Sequence, residues 1–129
     1  MFEFLQSSTS IQFFGIAGCL ATALGSLISG LAYRGKQGQR YSPFNHFISE
    51  LGEIGVSHLA WVFNLGLILS GLLLLPCCIG LGLRIPGIWS KLGMICGCLA
   101  AVALSLVGIF PMNNIKPHGR SAVAYFRLG

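Results

Sequence analysis

Two of the three acidic residues of this chain and two of its three histidines fall between positions 46 and 58. His46 and Glu50 are four apart, and Glu50 and Glu53 three apart. On a helix that spacing places imidazole and carboxylates on one face, where they can share a divalent cation. Ser49 beside His46 also suggests a nucleophile with its base. Two plainer readings compete with these. A polar stripe of this kind is the solvated face of a helix lying at a membrane surface. Alternatively, it forms a structural hydrogen-bond network with Asn64 or His118. The candidate polar cluster is therefore His46, Ser49, Glu50, Glu53, Asn64 and His118. None of the six carries a catalytic, metal or cofactor assignment from spacing alone.

The elements that must position these residues are read from charge. No Lys, Arg, Asp or Glu occurs in residues 4–33, 54–83 or 92–115. A helix rises about 1.5 Å per residue and the hydrocarbon core of a bilayer is about 30 Å thick, so each stretch is long enough to cross it. With 9% charged residues, 54% hydrophobic residues and a mean hydropathy of +0.79, the chain is far below the roughly 25% charged residues of a soluble domain. A domain this small has too much surface to hide so many apolar side chains from water. The expected fold class is all-α: a polytopic transmembrane bundle forming a single domain, 1–129. Its three complete spans lie at about 11–33, 58–83 and 92–110, with a short interfacial helix between the first two.

That interfacial helix is expected over residues 41–53. Ser42 is a natural N-cap and Pro43 suits the first helical position. Phe44, Phe47, Ile48 and Leu51 then share one face, with His46, Ser49, Glu50 and Glu53 on the other. Gly15, Gly18, Thr22, Gly25 and Ser29 form a small-residue stripe on the first span. Gly93, Gly97, Ala101 and Ser105 form another on the third, and such stripes let helices approach closely. Pro76 predicts a kink in the second span. Asn64, polar within that span, is expected to face another helix. The five cysteines all lie in spans, show no CxxC spacing and read as packing residues. His118, between Pro117 and Gly119, reads as a loop histidine. Residues 121–126 open a fourth apolar run too short to span.

The net charge of +5 does not point to nucleic acid, because the basic residues are spread along the chain and flank the spans. Loop one (34–57) and the C-terminal tail hold Arg34, Lys36, Arg40, Lys116, Arg120 and Arg127. The N-terminus and loop two (82–91) hold Arg84 and Lys91. The positive-inside rule then expects loop one and the tail in the cytoplasm and the N-terminus outside.

The run Tyr41-Ser-Pro-Phe-Asn-His-Phe-Ile-Ser-Glu-Leu-Gly52 before a span, then Phe63-Asn64-x-Gly66 and Ser70-Gly71 within it, then Gly108-Ile-Phe-Pro111 followed by His118, resembles the prokaryotic membrane-protein family called domain of unknown function 998. The resemblance covers about residues 10–126. It implies a polytopic bundle with about as many helices again, so that this chain looks like its N-terminal half. It implies no established activity. Members are similar in turn to the Frag/DRAM/Sfk group of eukaryotic multi-span proteins, where the loop after the first span faces away from the cytoplasm. The basic loop one of this chain departs from that.

The function expected is that of a non-enzymatic integral membrane protein of the prokaryotic plasma membrane: a scaffold, sensor or transport-associated component without cofactor. Its expected partners are membrane lipids, with a second copy or further C-terminal helices packing on it. The alternative is an interfacial metal-dependent hydrolase using His46, Ser49, Glu50 and His118, with His58 nearby. It rests on analogy with the alkaline ceramidase and adiponectin-receptor superfamily, whose zinc sites use Ser, Asp and His. No Asp occurs in this chain.

Overall fold

The computed structural model describes residues 1–129. It is all-helical: α1 (Phe2–Gln6), α2 (Ser8–Ala32), a 3-10 turn (Ile48–Gly52), α3 (Ala60–Arg84), α4 (Ile88–Ile109) and α5 (Ile115–Leu128). Helices α2, α3 and α4 are long and apolar enough to cross a membrane, and the protein is an integral membrane protein. Local chemistry sets the ends. Ser7 caps α2, its hydroxyl accepting the Ser10 N–H at 3.1 Å. Between α3 and α4, Gly87 at φ 104° makes a turn that a side chain would strain. Pro111 follows α4 and has no N–H to continue it.

Helix α3 is central. α2 packs along one side of it and α4 along the other, while α2 and α4 scarcely touch; α5 turns back along α4. Small residues make both α3 seams close. Gly18 and Gly25 of α2 lie against Leu74 and Val62–Gly66 of α3, and Gly15 faces Cys77. On the other seam Gly71 lies against Ala101 and Ser105, and Gly97 against Cys78. Hydroxyls bond across both: Ser29 donates to the Leu59 carbonyl at 2.9 Å, and Ser105 to the Ile68 carbonyl at 3.1 Å. Leucines of α2 such as Leu20, Leu24, Leu27 and Leu31 stay exposed, as a lipid-facing side requires.

Four expectations are corrected. The interfacial helix over 41–53 does not form. The Ser42 carbonyl accepts the Asn45 and His46 N–H groups in one turn, then Phe47 turns extended at φ −74°, ψ 143°. The Glu50 carboxylate takes the Phe47 N–H at 2.8 Å, a side-chain bond that competes with helix continuation. Second, the third span begins at Ile88, and Lys91 inside it turns back to donate to the Gly82 carbonyl. Third, His118 lies within α5, because Pro117 falls in the first turn, where its missing N–H costs nothing. Fourth, of the third-span ridge, Gly93 faces open space, and of the cysteines, Cys19 and Cys96 are exposed.

Candidate functional site

The six candidate residues all sit at the loop-one end of the bundle, but they divide among separate environments. The first is built on Tyr33, the residue that ends α2. It is among the largest fully buried side chains, at 1% exposure. Its hydroxyl donates to Glu50 Oε2 at 3.2 Å, and Glu50 Oε1 holds the Phe47 N–H. The Tyr33, Tyr41 and His46 rings pack together, with centroids 5.4–5.8 Å apart. His46 Nδ1 lies 3.2 Å from the Ser42 N–H, which donates to it. Glu53 pairs with Lys36 at 3.1 Å. A polar hollow of about 380 Å³ opens here, lined by Tyr33, Lys36, Glu50 and Glu53 among others. Burial, and then the neighbouring Glu50 carboxylate, push the Tyr33 phenol up to about 12. Burial, followed by Glu50, raises Tyr41 as well.

The second environment is the top of α3. Asn64 is buried and its Nδ2 donates to the Gly52 carbonyl at 3.0 Å, which ties the 3-10 turn down onto the helix. Gly52 is required there: an added Cβ would collide with the Asn64 amide and meet the Phe63 ring. Leu51, 1% exposed, is driven into the core beside Phe63 and Tyr33. Asn64 thus reaches a loop carbonyl rather than another helix.

The third environment holds Ser49 and His118, which both line a largely apolar groove of about 390 Å³ between α2 and α5. His118 Nδ1 lies 2.8 Å from the Phe110 carbonyl, so that nitrogen carries the hydrogen, and in the neutral ring Nε2 is an acceptor. The Ser49 hydroxyl meets only Met112 Sδ, at 3.5 Å. His58 is exposed.

No three His, Cys, Asp or Glu side chains gather closely enough to hold a metal ion. Ser49 has no imidazole as its bonded partner, since His46 turns to Ser42 and His118 to Phe110. The arrangement restrains loop one; it assembles neither a nucleophile–base pair nor a ligand set. Two participants escaped sequence reasoning. Tyr33 reads from sequence only as the end of a span, although a tyrosine at a membrane boundary with glutamates in the next loop was a usable signal. Asn113 clasps Ile54 in both directions, accepting its N–H at 2.7 Å and donating to its carbonyl at 3.0 Å.

Residues 16–128, most of the chain, match the family described as Protein of unknown function (DUF998). No curated protein and no solved structure matches the chain.

Proposed function

Because this chain belongs to the DUF998 family, whose description assigns no activity, we propose from its own geometry that it is a non-enzymatic scaffold of the prokaryotic plasma membrane. In this reading the loop-one end is a lock that fixes α2, α3 and the α4–α5 turn relative to one another. One observation carries the reading. Most of the candidate polar side chains are already bonded inside the protein, and the bonds run to different partners: Glu50 to Tyr33, Asn64 to Gly52, His118 to Phe110. A hydrolase needs its nucleophile, base and metal ligands within hydrogen-bond reach of one reacting atom.

The test has two readouts on the purified full chain: zinc content by elemental analysis, and labelling of Ser49 by a fluorophosphonate. The scaffold reading expects well under one zinc per chain and no label on Ser49. Stoichiometric zinc that is lost in His118→Ala, or labelling abolished in Ser49→Ala, would establish the hydrolase reading instead. The excess of basic residues in loop one and the tail supports a cytoplasmic lock. A Gln39→Cys variant in intact cells is then expected to resist an impermeant maleimide, and efficient labelling overturns that orientation.

A further inference from the structure

Helix α5 has two faces of opposite character. Ser121 is buried, and Ala122 and Tyr125 pack against the core. Lys116, Arg120 and Arg127 are four and seven residues apart, which gathers them on the opposite face, and all three are exposed. α5 does not stay at the loop-one end. It runs back beside α4 until Gly129 lies against Ala100, near the middle of that span. Lys116 is in the first turn, where its side chain can snorkel to the headgroups. Arg127 comes twelve residues after Ile115, roughly 18 Å along the helix at 1.5 Å per residue, and no side chain reaches back that far. Its guanidinium faces outward at a depth where hydrocarbon replaces water as the solvent. A lone charge is expensive there, and charged side chains within spans ordinarily pair.

Nothing in the chain supplies the partner. Its three acids are Glu3, Glu50 and Glu53. Glu53 pairs with Lys36, and Glu50 holds the Tyr33 hydroxyl and the Phe47 N–H. Glu3 belongs to α1, which packs near Gly80 at the other end of the bundle. A second copy inserted in the same orientation therefore offers no carboxylate at the depth of Arg127, and its own α5 would bring three more cations to the contact. Lipid phosphates lie at the membrane surface, too shallow for this residue. The shape of the face suits a helix. A shallow trough is lined by Gly119, Arg120, Val123, Ala124 and Arg127, and nothing occupies the space beside Gly119. A neighbouring backbone can approach closely there.

We infer that the outward face of α5 docks a transmembrane helix, other than a copy of this chain, whose mid-span carboxylate pairs with Arg127. The charge decides the partner: a guanidinium donates two parallel hydrogen bonds to a carboxylate, and each group removes the other's cost of lying in hydrocarbon. The proposal goes beyond the scaffold reading and does not depend on it.

Energy transfer in phosphatidylcholine vesicles tests it, with Trp61 and Trp89 of the full chain as donors and a dansyl group on a transmembrane peptide as acceptor. The peptide is a leucine helix with one central Glu, and its control has Leu at that position. The Glu peptide should associate roughly tenfold or more tightly than the control, a modest part of what an unpaired charge costs at mid-span. Arg127→Gln should reduce that preference to within about twofold at unchanged thermal stability, because the side chain is exposed, and Arg127→Lys should restore much of it. If Arg127→Gln does not fold, competition on the native chain decides: unlabelled Glu peptide should displace the dansyl peptide and unlabelled control should not. Four results would each overturn the proposal. These are equal association of the two peptides, a preference that survives Arg127→Gln, a dimer cross-linked through Val123→Cys but not through the native cysteines, and labelling of Val123→Cys by a water-soluble maleimide, which would put this face in water.

Discussion

The two ends of the bundle close in opposite ways. At the loop-one end, side chains bond to groups distant in sequence: Tyr33 to the Glu50 carboxylate, Asn64 to the Gly52 carbonyl, Asn113 to the Ile54 backbone. At the loop-two end the bonds are mostly local. Ser90 donates to the Ile85 and Gly87 carbonyls, and Lys91 to Gly82. The long-range contact there is Arg84 to the Gln6 carbonyl, at 2.9 Å and exposed. Trp89 is 82% exposed. A three-residue connection needs only its own caps, because the helices it joins are already side by side. A loop of more than twenty residues has lost much more entropy on ordering and needs contacts to distant elements to hold it.

The sharpest way to break this contrast is at paired glycines. Gly52→Ala drives a methyl into Asn64 and Phe63 and is expected to cost about 2–4 kcal/mol. Gly93→Ala, near the other end in open space on a helix, should gain about 0.5–1 kcal/mol. Unfolding in detergent by titrated denaturant measures both, and similar effects at the two positions would erase the distinction. Asn64→Ala comes next, at about 1–3 kcal/mol, because it leaves the Gly52 carbonyl without its donor.

Tyr33→Phe should cost about 1 kcal/mol at neutral pH by the same assay. It has a pH signature too. The folded state holds the Tyr33 phenol at about 12, above its ordinary 10.0, so folding favours the protonated form. The stability it contributes is complete below pH 10 and is lost as pH rises through 12, where a tyrosinate would face Glu50. Thermal melts of the native chain should fall more steeply over that window than those of Tyr33→Phe; parallel curves would remove the role given to the phenol. The smallest effect belongs to the loop-two end: Ser90→Ala should stay within about 0.5 kcal/mol in the same denaturant series.

The spans were legible because three long charge-free stretches admit no other solvent than lipid. The seams were legible in part: Gly97, Ala101 and Ser105 read as a contact ridge and include the residues against α3, while Gly93 on the same ridge faces nothing. Loop one was misread because Ser42 and Pro43 do start a helical turn, but Glu50 captures the Phe47 N–H and stops it. That competition between a side chain and the ladder has no periodic signature. α5 hid behind low hydropathy. Its signal was amphipathic spacing and a proline in the first turn, not an apolar run. The choice of Tyr33 by Glu50, and the groove between α2 and α5, depend on elements that meet only in three dimensions.

The path of the chain through the bundle bears on how it is built. Each long helix rests chiefly on the one before it: α3 on α2, α4 on α3, α5 on α4. A ribosome delivering these segments one at a time therefore releases each into a membrane where its docking partner is already in place. Assembly can proceed as serial additions, with no helix held waiting for one not yet made. The Asn113–Ile54 clasp joins loop one to the turn after α4, so it can form only late and acts as the latch on a bundle already stacked.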